Sequence, residues 1–301
     1  MDSSISHLLG AIAALTSALL WAVAAVLFGQ IGREMTAKAM NLAKGLVALL
    51  CLVIFIFPEP FAELRQEMFW MLALSGFLGI CIGDTLYLLS IQRLGARLTL
   101  LIGTLIPVVT AVAAVFLFQE FMGMSAYLSL ILTVIGVSYV LWSKAEKTQK
   151  DIVWGSGLLV AGLFVLTESS GILLTKWAVF EVNSLEATFI RQVAGVVGLT
   201  VWGLLARELV SDFKPLKNNP ALFKKLIITS FIGAFVGTWL SVLALKLTHA
   251  SVAVALNSTS PIFILLISVL FLSEKLPRSS IIGAIVAVSG VVLYFMQIPY
   301  S

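Results

Sequence analysis

The sequence is poor in charge, cysteine and histidine. Asp, Glu, Lys and Arg make up only 11% of its 301 residues, whereas a soluble domain carries about a quarter. Cys51 and Cys81 both lie in apolar runs, which indicates neither a disulfide framework nor a cysteine metal site. His7 and His249 have no partner at ligand spacing. The sequence therefore predicts no metal and no cofactor.

Several motifs that carry chemistry are also missing. The chain contains no HExxH, no cluster of metal-binding carboxylates and no Walker A lysine motif. These absences argue against a metal-dependent enzyme and against a pump driven directly by ATP. The N-terminus has no basic residues before its first apolar run, so that run is expected to be retained as a span instead of being removed as a signal peptide.

What the chain has in abundance is apolar sequence. Hydrophobic residues make up 60% of it, and its mean hydropathy is +1.08, which predicts an all-α integral membrane protein. A helix needs about 20 apolar residues to cross the bilayer, and charged, polar or proline-containing breaks divide the chain. The ten predicted spans are 8–28, 38–57, 69–91, 98–118, 123–142, 153–175, 185–206, 222–245, 250–272 and 279–297.

The chain repeats itself without a gap at an offset of 154 residues. The residues that recur are Gly79, Gly83, Pro107, Glu120 and Gly136, which match Gly233, Gly237, Pro261, Glu274 and Gly290. A fixed register through glycines, a proline and a glutamate indicates a duplicated unit. The predicted organisation is a first five-helix repeat at 1–142, a linker at 143–152 and a second repeat at 153–301.

The basic residues predict the orientation in the membrane. The loops after odd-numbered spans contain 14 Lys and Arg residues, and the opposite side contains 3. By the positive-inside rule, the odd loops and the central linker are cytoplasmic and both termini are outside. The bias reverses between the copies, as an inverted-topology repeat requires. A multi-pass protein of the plasma (bacterial inner) membrane is expected.

Two segments carry a family resemblance. They are LIGTLIPVVTAVAAVFLFQE and LNSTSPIFILLISVLFLSE, each a proline-containing fourth helix that ends in glutamate and precedes a glycine-bearing fifth helix. With FIRQVAGVVGL around Arg191, the chain resembles the drug/metabolite transporter superfamily, in particular its EamA-type members. The resemblance covers almost the whole chain. It implies a secondary carrier of small metabolites, often an amino-acid exporter, with a substrate cavity between the copies. Copy one departs from the pattern with Lys44.

Four ionisable residues fall within predicted spans: Lys44, Asp84, Glu168 and Arg191. Because such groups are costly in a membrane, they are interpreted by default as functional. The topology places Lys44 and Asp84 in the cytoplasmic half and Glu168 and Arg191 in the outer half, which predicts two separate buried pairs. Both pairs could be structural; alternatively Glu168, or in second place Asp84, exchanges a proton or contacts a charged substrate.

The repeat predicts an asymmetric cavity. Arg191 follows Lys44 by 147 residues, and the same offset relates Glu168 to Trp21. One wall would then carry a carboxylate and the other an indole. Tyr87 and Trp239 are aromatic candidates for the lining.

The two mid-span prolines are further candidates. Pro107 and Pro261 each leave the carbonyl four residues earlier without its helical donor, and such groups must be satisfied by protein or by a water-lined cavity. Thr104 lies beside Pro107, and Asn257 and Ser258 lie beside Pro261. Simple kinks are one interpretation. The repeat and the polar run favour a substrate-lining role.

The functional hypothesis is a secondary active transporter that moves a small metabolite by alternating access, with proton coupling left open. The alternatives are a membrane-embedded enzyme with lipid-like substrates and a channel, which would show a polar pore stripe or filter. The expected partners are a small solute, the lipid bilayer and protons, with no nucleic acid. We expect no enzymatic activity, and a monomer or weak homo-oligomer.

Overall fold

The computed structural model of the chain describes residues 3–31, 34–56, 65–119, 123–143, 154–206, 213–260, 262–263, 266–267 and 278–295. Within these ranges the backbone is helical almost throughout, and they contain no strand. The prediction of an all-α protein is therefore confirmed for this part of the chain.

The described helices follow one another in simple order. They are α1 Ser3–Ile31, α2 Ala37–Ile56, α3 Gln66–Gly76, α4 Asp84–Gly103, α5 Leu105–Phe118, α6 Met124–Ser143, α7 Trp154–Val179, α8 Ser184–Leu205, α9 Lys214–Asn218, α10 Pro220–Ser230, α11 Thr238–Leu247, α12 Ala250–Asn257 and α13 Arg278–Phe295. Two π-helical turns join neighbouring helices, π1 Phe77–Gly83 between α3 and α4 and π2 Phe231–Gly237 between α10 and α11.

Six helical stretches are long and apolar enough to cross a membrane: Ile5–Phe28, Lys38–Phe55, Gln66–Tyr87, Gly155–Val179, Ser184–Leu205 and Pro220–Leu247. Three shorter apolar helices are Leu105–Phe118, Met124–Tyr139 and Ile281–Leu293. Together they coincide with nine of the ten predicted spans. The predicted span at 250–272 is described only in part, and Glu120, Pro261 and Glu274 lie outside the described residues.

The two π turns reproduce the sequence repeat. Phe77–Gly83 and Phe231–Gly237 are each seven residues long and are separated by the same 154 positions that relate the glycines. Each turn lies within one of the membrane-spanning stretches, Gln66–Tyr87 and Pro220–Leu247. A π turn is a local insertion that is stabilised by its surroundings and is common at functional sites. The role of these two turns is therefore inferred from the residues that contact them.

The link between the third and fourth spans differs from the prediction. The sequence predicts a loop there, but α4 continues as helix from Asp84 to Gly103. The Ser90 hydroxyl lies 2.9 Å from that of Thr99, although nine residues of straight helix rise about 13.5 Å. The helix axis must therefore bend sharply between these residues, and the reversal of the chain is made by helical backbone.

The helices pack across the repeat boundary. From the first repeat, α1 packs on π2 and α11, and α2 packs on π2 and α8. From the second, α7 packs on π1 and α4, and α8 packs on α3 and π1. Each π turn therefore packs against helices of the other repeat. A movement of one repeat relative to the other would change these contacts.

Polar contacts at the helix ends divide the bundle into two ends. At what we name the His7 end, the His7 ring bonds the Thr248 hydroxyl at 3.1 Å, and Arg65 forms a 3.1 Å salt bridge with Glu181. At the opposite end, which we name the Glu34 end, the Asn219 side chain donates to Glu34 at 3.1 Å. This grouping puts Arg65, just before α3, and Glu181, just after α7, at one end.

The helices break at equivalent places before the two prolines. Helix α4 ends at Gly103 and Thr104 separates it from α5, while α12 ends at Asn257, 154 residues after Gly103. The Ser260 hydroxyl donates to the Asn257 carbonyl at 2.8 Å. That carbonyl is the one that Pro261 would leave without a donor, so a neighbouring hydroxyl satisfies it.

Glycines set the spacing between α6 and α13. A Cβ on Gly136 would lie 2.3 Å from the backbone nitrogen of Ala287, and nothing lies within 4 Å of one on Gly162 in α7. We expect Gly136→Ala to destabilise the protein by about 1–3 kcal/mol because backbone must move, and Gly162→Ala to be neutral or slightly stabilising. Melting temperatures in one detergent test this; equal values for the two variants would contradict the packing argument.

Candidate functional site

Lys44 on α2 and Asp84 at the start of α4 form a salt bridge inside the bundle. The Nζ atom donates to Oδ2 at 2.8 Å, and the side chains are 24% and 30% exposed. Asp84 is placed by π1, which ends at the preceding residue. Both groups retain access to water, so a solute or ion that enters the space beside them can contact the pair.

Glu168 on α7 lies against the first π turn. A Cβ on Gly83 would lie 2.8 Å from Oε1, and one on Gly79 would lie 3.9 Å from Oε2. Glycine at position 83 therefore provides space that the carboxyl group occupies, while a Cβ on Gly79 would be at ordinary contact distance from it. The side chain is partly exposed, and Asp84, Arg191 and Lys44 are its charged neighbours.

Arg191 on α8 is held by neutral groups. Its Nη1 atom donates to the Ser75 hydroxyl and, at 3.2 Å, to the Gly171 carbonyl. Thr175 joins the same network, because its hydroxyl lies 2.7 Å from that of Ser75 and donates to Gly171 at 2.7 Å. The guanidinium is only 9% exposed, and its buried Nε atom has no hydrogen-bond partner.

The predicted pair of Lys44 and Asp84 is present in the structure, whereas the predicted pair of Glu168 and Arg191 is not. The placement of the two pairs in opposite halves of the membrane stays a prediction. No salt bridge joins Glu168 to Arg191. The Nη2 atom of Arg191 and the Oε2 atom of Glu168 lie 3.6 and 3.9 Å from the Cβ position of Gly79. Asp84 directly follows Gly83, on which Glu168 rests. The four charges therefore form one group, which we name the charge cluster: Lys44, Asp84, Glu168 and Arg191.

Trp21 on α1 has the corresponding place on the second π turn. A Cβ on Gly237 would lie 2.9 Å from its Nε1 atom, and that indole N–H donates to the Gly233 carbonyl at 3.2 Å. The Ser17 hydroxyl also donates to the Gly237 carbonyl, at 2.8 Å. An indole thus stands on one turn and a carboxyl group on the other, at positions that the repeat relates.

The aromatic candidates contact different neighbours. The Tyr87 ring packs on Phe164 of α7, with centroids 5.2 Å apart, one turn before Glu168. The Trp239 indole donates to the Ser184 hydroxyl at 3.1 Å, at the start of α8. Tyr87 therefore lies beside the charge cluster, and Trp239 links α11 to the opposite repeat closer to the His7 end.

The polar candidates near the prolines are engaged with protein. Asn257 donates to the Ser241 hydroxyl at 2.8 Å, while its buried Oδ1 has no partner. The Ser258 hydroxyl donates to the Val254 carbonyl at 2.9 Å, in its own helix. Thr104 accepts a bond from Ser138 at 3.1 Å. Of these groups, the Asn257 amide oxygen is the one that the structure leaves open.

Pro107 lines a cavity of about 570 Å³ between α5, α6 and α12. Its walls are almost entirely apolar, with Tyr127 and Ser251 as polar residues. A second apolar cavity of about 380 Å³ lies between α2, α9 and α10. Neither of these cavities is lined by the charge cluster.

The sequence interpretation missed the residues that hold Arg191. Ser75 and Thr175 are fully buried, and a Cβ on Gly76 would lie 2.1 Å from the Arg191 carbonyl oxygen. The adjacent serine and glycine, one turn before Gly79, were the feature of the sequence that could have indicated a close helix contact here. The close approach of α3 to α8 places the guanidinium beside π1.

Two lysines assigned to outer loops are also engaged with helix ends. Lys176 is 3% exposed and donates to the Leu245 carbonyl at 2.9 Å and to the Thr248 carbonyl, at the end of α11. Lys246 donates to the Val182 carbonyl at 2.7 Å. Lys176 thus binds carbonyls at the C-terminal end of α11, as suits a cation near a helix C-terminus, and Lys246 binds the carbonyl of Val182 in the turn after α7.

Two enclosed π turns, cross-repeat packing and charges within apolar spans define a multi-pass helical membrane protein built from two similar units. The chain belongs to the EamA-like transporter family, whose model matches residues 8–142 and again 155–296. This finding confirms the resemblance to EamA-type members of the drug/metabolite transporter superfamily. The protein is therefore a membrane transporter, which implies a small-molecule solute and a lipid environment.

Individual relatives agree with this assignment. An uncharacterized transporter of Archaeoglobus fulgidus is 23% identical over 287 residues, which is 94% of this chain and 96% of that protein. Protein LicB of Haemophilus influenzae is 28% identical over 134 residues, 44% of each chain. A solved crystal structure of a protein with 13% identity shares the fold, with a TM-score of 0.76 over 95% of this chain and 97% of that one.

Proposed function

We propose that the protein is a secondary active transporter that exports a small metabolite, an amino acid or a similar solute, across the plasma membrane by alternating access. The coupling ion is the proton, and Glu168 carries it. The inverted arrangement of the two five-helix repeats supplies the two alternative openings. The chain performs transport and no catalysis.

One observation carries this proposal: a partly exposed carboxyl group lies on a π turn at the contact between the repeats. Glu168 belongs to α7 of the second repeat and rests on Gly83 of the first. A titratable group at such a contact can link proton occupancy to the relative position of the repeats. The adjacent acids and bases also suit a solute that bears both an amine and a carboxylate.

The solute is identified by a thermal-shift screen of the purified protein against a panel of metabolites, since a ligand of the folded state raises the melting temperature. Each stabilising solute is then tested for uptake into proteoliposomes. We expect saturable uptake that a proton gradient accelerates. Unsaturable flux would indicate a channel, and chemical conversion of the solute would indicate an enzyme; either would refute the proposal.

The proposed orientation places both termini outside and the central linker in the cytoplasm. Cysteine introduced at Ser3 is expected to react with a membrane-impermeant maleimide in intact cells, and cysteine at Lys147 only after the cells are opened. Cys51 and Cys81 are replaced first, so that the background is free of thiols. Labelling at Lys147 alone in intact cells would reverse the topology.

A further inference from the structure

Comparison of the two π turns shows a difference in hydrogen bonding. In the second repeat, α1 supplies the Trp21 indole to the Gly233 carbonyl and the Ser17 hydroxyl to the Gly237 carbonyl. The carbonyls related by the repeat are those of Gly79 and Gly83 in π1. No side chain among the described residues donates to either of them, and the residue of α7 that replaces Ser17 is Phe164.

Glu168 occupies the place of the missing indole. Its Oε1 atom is 2.8 Å from the Cβ position of Gly83, and Nε1 of Trp21 is 2.9 Å from the Cβ position of Gly237. By the repeat, the Gly79 carbonyl corresponds to the Gly233 carbonyl that the indole nitrogen binds, so it is the acceptor expected for a donor at the Glu168 carboxyl group. An ionised carboxylate only accepts hydrogen bonds, whereas a carboxylic acid can donate one.

The ionised form has a different partner nearby. Of the donors of Arg191, Nη1 is occupied by Ser75 and Gly171, while Nε has no partner and Nη2 points towards Gly79. Nε and Nη2 lie on one edge of the planar guanidinium, and two parallel N–H groups match the two oxygens of a carboxylate. Oε2 of Glu168 and Nη2 of Arg191 both lie close to the Cβ position of Gly79, at 3.9 and 3.6 Å, so the two side chains are neighbours at this turn.

We propose that Arg191 is a positioning residue that binds the ionised Glu168 carboxylate through its Nε–Nη2 edge, and that the neutral acid instead donates to the Gly79 carbonyl of π1. Glu168 then has two positions, one for each protonation state. In the neutral position it completes π1 as Trp21 completes π2, and in the ionised position it leaves π1 and draws α7 towards α8. This inference rests on the proposed role of Glu168 in proton coupling.

Other charged side chains also lie near the Glu168 carboxyl group. Asp84 on α4 and Lys44 on α2 are its further charged neighbours, and they neutralise each other in their salt bridge. Helices α5 and α12, which also pack on α7, carry no ionisable side chain. Lys246 of α11 is bound to the Val182 carbonyl at the His7 end. Lys44 uses one of its Nζ donors on Asp84, whereas Arg191 offers the planar Nε–Nη2 edge. Arg191 is therefore the cation of the charge cluster whose geometry matches both carboxylate oxygens of Glu168.

Infrared difference spectroscopy of the full-length protein in nanodiscs, recorded across a pH titration, tests the two positions. We expect a carboxylic-acid carbonyl band at the frequency of a hydrogen-bonded acid, which disappears as pH rises and is absent in Glu168→Gln. In Arg191→Gln the band should persist to higher pH, with a midpoint moved by at least tenfold in proton concentration, because the ionised form has lost its partner. Arg191→Lys keeps the charge without the planar fork, so its midpoint should fall in between.

The matched control is Lys246→Gln, which removes a cation that likewise binds backbone carbonyl but lies away from Glu168. Its midpoint should equal that of the wild-type protein. A wild-type spectrum without a Glu168 band, a midpoint unchanged in Arg191→Gln, or an equal change in Lys246→Gln would each overturn the proposal. If Arg191→Gln fails to fold, Arg191→Lys decides alone, since an unchanged midpoint there overturns the bidentate contact.

Failure of this inference and failure of the transport proposal are distinguishable. Saturable, gradient-driven uptake with no Glu168 band would leave the transporter intact and remove the two-position mechanism. A normal titration without uptake of any stabilising solute would do the opposite.

Discussion

Replacing Glu168 by glutamine is expected to reduce proton-gradient-driven uptake at least tenfold while leaving solute binding and the fold in place. Glutamine has nearly the same shape, and its amide can donate to the Gly79 carbonyl as the neutral acid would. Glutamine cannot bind and release a proton, so the proton gradient can no longer drive the movement of the solute. Uptake into proteoliposomes at several pH gradients, with the solute found by the thermal-shift screen, measures the effect.

A second assay separates coupling from binding in the same variant. Exchange of labelled for unlabelled solute without a gradient should continue in Glu168→Gln, because the solute alone can carry the repeats between their two arrangements. The matched control is Glu181→Gln, which changes an exposed glutamate paired with Arg65 at the His7 end and should transport normally. Gradient-driven uptake in Glu168→Gln with the wild-type rate and pH dependence would exclude Glu168 as the coupling group.

The repeat was the part of the fold that the sequence predicted best. The 154-residue offset relates not only glycines and prolines but also π1 to π2 and the end of α4 to the end of α12. The π turns themselves could not be predicted, because their stability depends on helices from the other repeat that lie far away in sequence. Glycine at positions 79 and 83 had indicated close packing, but not that its neighbour would be a carboxyl group.

The contacts among the charged residues were predicted only in part, since the pair of Lys44 and Asp84 is present and that of Glu168 and Arg191 is not. Counting 1.5 Å per residue along straight helices put Glu168 and Asp84 in opposite halves of the membrane. The count neglects the π turn directly before Asp84 and the bend within α4, and it neglects the length of the side chains. Glu168, Lys44 and Arg191 all have long side chains that can meet over several ångströms of backbone separation, so two pairs became one cluster.

The equivalence of Trp21 and Glu168 was predicted from a second offset between the copies. The offset of 147 was obtained by aligning Lys44 with Arg191, and it differs from 154 because the connections before the third helix differ in length between the copies. In the structure both residues stand on glycines that the 154 offset relates. The two offsets are therefore compatible, and together they locate the asymmetry at a pair of corresponding positions.

Breaking the salt bridge between Lys44 and Asp84 is expected to destabilise the protein measurably. Lys44→Met leaves Asp84 without its cation in a mostly buried place, at a cost of about 2–4 kcal/mol, and the double variant Lys44→Met/Asp84→Leu should recover most of that loss. Melting temperatures in one detergent measure both. Arg65→Met, which breaks an exposed pair whose side chains are 59% and 47% exposed, should cost less than about 1 kcal/mol.

The double variant also decides between the two roles of the pair. If Lys44 and Asp84 only hold α2 against α4, the stable double variant should transport at close to the wild-type rate, since no charge remains unpaired. If the two charged groups also act on Glu168 or contact the solute individually, the double variant should be stable and fail in transport. Because Asp84 follows π1 directly and Glu168 rests on the same turn, we expect the second result, with exchange impaired as well as gradient-driven uptake. A fully active double variant would leave Glu168 and Arg191 as the functional part of the charge cluster.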